Sequence, residues 1–164
     1  MIHKNSGFIF LEVIVAIALV GITFLSLLQV GVQILTIASS IRSTNQADGL
    51  IKESMEAVRV YRDGKDWQTG LASLNTGSSN PYHLEIDDAD ANNLIWKWVA
   101  GEETIGKFIR KIIIDKVSRD PVTFAIESSY NSSHDNADTR KITAIVQVGA
   151  KTHQAVTYVT NWKK

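Results

Sequence analysis

"GFIFLEVIVAIALVGI", residues 7 to 22, decides how the rest of the chain is read, because it is membrane-like at every position but one. From Val13 to Ile41, 29 residues follow one another without a formal charge, and the section from Phe8 to Leu28 is almost wholly apolar. As an α-helix those residues would span roughly 32 Å, close to the hydrocarbon thickness of a bilayer. The run therefore predicts a transmembrane helix. A secretory signal peptide shares the basic residue, Lys4, ahead of an apolar stretch, but its apolar region is about 7 to 15 residues long and ends at a small-x-small site. This run is longer and carries Glu12 near its start. Lys4 is the only formal charge before Glu12, whereas Arg42, Lys52, Arg59 and Arg62 stand well beyond the apolar run. A short leader on the cytoplasmic side is the expectation that follows.

Glu12 is the exception. A carboxylate inside a membrane helix costs on the order of 2.5 kcal/mol or more near the centre, and such groups usually face a partner rather than lipid. Two readings stay open from the residues alone: a glutamate near the interface that snorkels or is protonated, and a carboxylate that meets a cation.

Composition narrows the function classes. The chain has 164 residues, enough for one domain of ordinary size, and 45% of them are hydrophobic. Its 17 basic and 17 acidic residues cancel, so no net field attracts nucleic acid. Cysteine is absent, which removes disulfides, thiolate zinc sites and thiol nucleophiles together.

With leader, glycine, aromatic residue, acid and helix in that order, residues 7 to 22 resemble the N-terminal signature of type IV pilins and pseudopilins. The resemblance implies that a membrane prepilin peptidase cuts between Gly7 and Phe8 and methylates the new N-terminus of Phe8. It also supplies a cation for Glu12, since family members are thought to pair that glutamate with the N-terminal amine of a neighbouring subunit. Gly7 and Phe8 would then be the cleavage site, Phe8 the methylated residue and Glu12 the assembly residue. One departure is Gln29, where many members have a proline that kinks the helix. The implied partners are the peptidase, other pilin or pseudopilin subunits, an assembly platform protein and membrane lipid. No nucleic acid is expected from the charge, and no cofactor.

Beyond the membrane run, Ala47, Ile51, Met55, Val58 and Tyr61 recur at spacings of three and four, with Lys52, Glu53, Glu56 and Arg59 between them. That pattern predicts a continued helix with one apolar stripe, ending near Arg62 before Gly64. A Gly/Ser/Asn/Pro-rich connection over 63–81 should lead into a β-rich region over 82–164. Candidate strands are 82–86, 94–99, 108–117, 122–128, 141–148 and 153–162, with "GAKT" turning the last hairpin. The expected fold is α+β: a long N-terminal helix, half membrane and half amphipathic, packed on an antiparallel β-sheet head. In domain terms this is a leader over 1–7, a transmembrane and assembly helix over 8–41, and an extracytoplasmic head over 42–164. Trp67, the Arg-containing strand in "GKFIRKIIIDKVSRD", and "DTRKITAIVQV" with the closing "VTYVTNW" are similar to heads of minor pilin-like proteins.

Chemistry-bearing motifs are few. His3, His83, His134 and His153 form no HExxH pair, and there is no GxSxG elbow, Walker loop or dinucleotide fingerprint. "SSHDNAD" groups His134, Asp135 and Asp138, and is read as a solvated hairpin loop rather than a metal site. "DDADANN" opens like a calcium loop with Asp88, Asp90 and Asn92, and some pseudopilins bind calcium in the head. It lacks the loop glycine and the distal glutamate. The four tryptophans are read as core or interface anchors. Two function classes follow: a non-enzymatic filament subunit, minor pilin or pseudopilin, and a membrane-anchored extracytoplasmic enzyme or sensor whose N-terminus matches the signature by chance.

Overall fold

The computed structural model describes residues 6–87 and 95–162, so Lys4, His3 and the Asp88, Asp90, Asn92 loop lie outside the described residues. Two compact units divide the chain, Met1–Ser43 and Thr44–Lys164. A single α-helix, α1, covers Ser6–Gly64. It remains helical at Gln29, where the residue keeps the backbone N–H that a proline would lack. In the first unit almost every described side chain is exposed, including Phe8, Leu11, Val20 and Leu27. Its few hydroxyls are satisfied within the helix: Thr23 Oγ1 donates to the Val20 carbonyl at 2.8 Å, Ser26 Oγ to Ile22 at 2.8 Å and Thr36 Oγ1 to Val32 at 3.0 Å. Such back-bonding lets a hydroxyl sit in an apolar segment without an unmet donor.

The second unit is a six-stranded antiparallel sheet with the end of α1 on one face. Its strands are β1 (Tyr82–Asp87), β2 (Ile95–Ala100), β3 (Glu103–Ile105), β4 (Phe108–Ser118), β5 (Asp135–Val148) and β6 (Lys151–Thr160). The order is β2-β1-β4-β5-β6, with β3 pairing to β4. In the central register Ile112 lies opposite Ala144 and Ile114 opposite Ile142, so even-numbered residues of both strands face the helix together. They meet Ala57 and Val58 beside Trp67, Leu71, Tyr82, Leu84 and Val159. A second cluster joins Ala47 and Ile51 to Phe108, Ala144 and Val146.

The buried stripe of α1 departs from the sequence pattern, with Ser54 and Ala57 in place of Met55 and Tyr61. It runs through Ala47, Ile51, Ser54, Ala57 and Val58, while Met55 and Tyr61 are only half-buried. Ser54 is tolerated there because its hydroxyl donates to the Leu50 carbonyl at 2.8 Å.

Three elements depart from expectation. Residues 122–128 form no strand: Pro121 has no N–H, and the Asp120 carboxylate takes the Val122 and Thr123 amides at 2.9 and 2.7 Å, turning the chain before a ladder can form. Only an isolated bridge, Arg119 to Ile126, remains. The polar segment from Asp135 belongs to β5 rather than to a loop, because its backbone pairs with β4 past a register shift between Lys116 and Ser118. Finally, β3 is a three-residue strand that the hydrophobic pattern does not reveal. It forms a tight hairpin with β4, in which Gly106 at φ 58° allows Ile105 to pair with Phe108.

Candidate functional site

The N-terminal turns of α1 hold the residues of the membrane signature. Gly7 and Phe8 lie in the helix, Phe8 is exposed, and Glu12 follows one turn later on an exposed surface. Glu12 makes no hydrogen bond or ion pair with any described residue of its own chain. Its neighbours at one turn's distance are Phe8 and Ala16, neither of which offers a side-chain donor. The arrangement therefore presents one carboxylate on an otherwise apolar rod. Among the described residues this is the one helix long and apolar enough to cross a membrane.

The head contains a buried ionic centre that the sequence reading did not single out by number. Arg110 is 5% exposed on β4. Its Nη1 donates to Glu53 Oε1 of α1 at 2.8 Å, and its Nε donates to Glu103 Oε2 of β3 at 2.8 Å. Burial pulls the guanidinium down, but the hydrogen bonds it donates to Glu53 and Glu103 outweigh that and hold the group above its ordinary value. The register explains the pairing, since Glu103 lies directly opposite Arg110. A lone Arg inside the apolar run 108–114 was the available signal, because a charge among inward-facing residues needs a partner.

The three described histidines are scattered in the head. His83 is buried, with Nδ1 3.2 Å from the Gly101 carbonyl and Nε2 3.0 Å from Glu85 Oε1. His134 Nδ1 lies 2.8 Å from Glu127 Oε1, so its carboxylate partner is Glu127 and not Asp135 or Asp138 of the sequence cluster. His153 approaches Asp48 of α1 at 3.6 Å. Among the described residues no three His, Asp or Glu side chains converge as a metal site.

The tryptophans divide by role. Trp67 is buried and its Nε1 donates to the Ala137 carbonyl at 3.0 Å. Trp98 stands edge-on to Tyr61 and Tyr82, with centroids 5.7 and 5.9 Å away. Trp162 is exposed, and its Nε1 donates to Asp63 Oδ1 at 3.1 Å, tying the end of the sheet to the end of α1.

Several carboxylates are set by backbone donors. The Asp66 carboxylate accepts the Gln68 and Thr69 amides, both at 3.1 Å, just past the end of α1. Hydrogen bonding to Thr69 lowers the Asp66 carboxyl below its ordinary 3.8, and bonding to the Thr123 and Val122 amides does the same for Asp120. A depressed folded-state pKa contributes stability that is complete above the unfolded value and is lost as pH falls through the folded one. The melting temperature of the head should therefore drop as pH falls below about 4. In Asp66→Asn and Asp120→Asn variants that acid limb should be flatter. Identical acid limbs in a thermal-melt pH series would contradict the assignment.

No family model, curated protein or solved structure matches this chain.

Proposed function

We propose that the chain is a non-enzymatic structural subunit, a minor pilin or pseudopilin, of a type IV pilus-like or type II secretion-like filament. The observation that carries this reading is the Glu12 carboxylate, the one acid in the apolar first part of α1, four residues after a Phe8 that follows Gly7. Cleavage after Gly7 by a prepilin peptidase gives Phe8 a new amine, which is then methylated. That cation and the Glu12 carboxylate of a neighbouring subunit each cost free energy in lipid, and together they offset one another and set the stagger between helices. Before assembly the subunit is held in the cytoplasmic membrane by a single pass, head outside, and an assembly platform protein delivers it to the growing filament. The absence of a proline at Gln29 favours a minor over a major subunit.

Co-expression with a prepilin peptidase tests the reading. Intact-protein mass spectrometry should show loss of residues 1–7 and gain of one methyl group on Phe8. An unprocessed chain would favour a membrane-anchored enzyme or sensor instead.

A further inference from the structure

The first unit carries an inverted pattern along α1. Ser26, Gln29, Gln33, Thr36, Ser40 and Ser43 follow one another at spacings of three and four in strict alternation, which lines them up as one polar seam with a seven-residue repeat. Beside the seam, Val30, Ile34, Leu35 and Ile37 are each more than half exposed. The aliphatic flanks call for an apolar surrounding, and the seam between them calls for polar partners. A helix that buries an apolar stripe in water shows the reverse arrangement.

Two seam positions have unmet hydrogen-bonding groups. Ser26 and Thr36 donate to carbonyls one turn back and need no outside acceptor. Gln29 and Gln33 are exposed, one turn apart, and their side-chain amides make no hydrogen bond with any described residue. A primary amide carries two donors and an acceptor oxygen, and leaving them unmet among apolar neighbours is costly. No formal charge occurs from Val13 to Ile41, so a charged partner helix would bury its charge against this seam without compensation. The complement is an uncharged group that donates and accepts at once, and a second amide is such a group.

We propose that two copies of this chain pair in the membrane as a parallel, in-register helix dimer along the seam, with Gln29 of each copy hydrogen-bonded to its counterpart and Gln33 likewise. Copies inserted with the same polarity lie parallel, and every seam residue then meets itself at the same depth. Self-pairing repels charges but satisfies amides, because each carbonyl takes the counterpart's N–H while its own N–H is taken in return. Hydrogen bonds of this kind join helices in lipid, where apolar flanks gain nothing by leaving the acyl chains. The seven-residue repeat keeps successive layers in contact through a shallow left-handed winding. Glu12 falls two repeats before Ser26, where self-pairing would set two carboxylates together, so the contact is confined to residues 26–43. The inference rests on the membrane span and goes beyond the filament reading, since the dimer needs neither cleavage after Gly7 nor the Phe8 amine.

The cysteine-free chain allows a direct test on the full-length protein in native membranes. Thr36→Cys, on the seam, should give a disulfide-linked dimer of this chain when oxidised with copper phenanthroline, and Ala38→Cys, on the opposite side of the helix at nearly the same depth, should give little or none. In the Thr36→Cys background Gln29→Leu/Gln33→Leu keeps the side-chain bulk and removes both amides, and should cut the dimer about tenfold at equal membrane abundance. Gln29→Asn/Gln33→Asn, which keeps the amides, should lose less. Equal yields from Thr36→Cys and Ala38→Cys, a yield indifferent to the leucine pair, or a Thr36→Cys adduct with another protein would each overturn pairing between copies. The measurement is made in cells lacking a prepilin peptidase, where the uncut chain should pair fully. Absent cleavage in peptidase-expressing cells would overturn the filament reading and leave the dimer standing, whereas loss of the dimer with cleavage intact would overturn the dimer alone.

Discussion

On the proposed filament reading, Glu12→Val is expected to separate processing from assembly: the variant inserts and is cut after Gly7, yet is nearly absent from the filament. Removing a carboxylate from a membrane helix relieves a cost of a few kcal/mol, so anchoring by itself should improve. Assembly should reverse that gain. Each processed Phe8 amine would enter the filament core without a carboxylate, and breaking a buried pair by losing one partner costs about 3 to 5 kcal/mol, enough to lower incorporation by more than a hundredfold at equilibrium. Tagged protein followed in the processed membrane pool and in sheared filaments measures the two steps separately. Gly7→Leu is the complementary control, expected to stay uncut because the bulky side chain replaces the glycine at the end of the proposed leader. Equal filament incorporation of wild type and Glu12→Val at equal membrane abundance would remove the pairing role and return Glu12 to a snorkelling or protonated glutamate.

Arg110→Ala should have the largest effect on the head itself. The substitution removes the shared partner of Glu53 and Glu103 and leaves a void beside β3. Stranding buried charges costs about 3 to 5 kcal/mol in full burial, but the Glu53 side chain is half exposed and can rehydrate, so about 2 to 3 kcal/mol is expected. For a head of this size that is a fall of roughly 10 °C in melting temperature. Arg110→Met, which keeps much of the volume, should lose less. Circular dichroism melts of the detergent-solubilised chain report both. If Arg110→Ala melts within about 2 °C of wild type, the ion triad holds no structural role, because a loss that small is below the cost of even one buried unpaired charge.

The same triad shows where pattern reading stops. The β4 run "FIRKIII" was legible as a strand from its β-branched residues, and Arg110 among them signalled a need for a partner. Which carboxylates answer was not legible. Glu53 lies 57 residues away on α1, and Glu103 reaches Arg110 through a three-residue strand too short to leave a periodic signal. Residues 122–128 failed in the opposite sense. Val122, Phe124 and Ile126 alternate as a strand would, but Pro121 and the Asp120 side chain redirect the amides into a turn, and local capture of donors overrides alternation.

What the sequence determined alone is the long helix, its membrane-like first half and the antiparallel sheet with one face toward the amphipathic second half. Those features follow from hydrophobic period and length, which act along the chain and need no distant partner. Tertiary structure decided the ion triad, the choice of Ser54 over Met55 for the buried stripe, and the burial of Trp67 against the exposure of Trp162. Each depends on which side chains are brought opposite one another by strand register, and register is set by packing across the whole sheet rather than by neighbours in sequence.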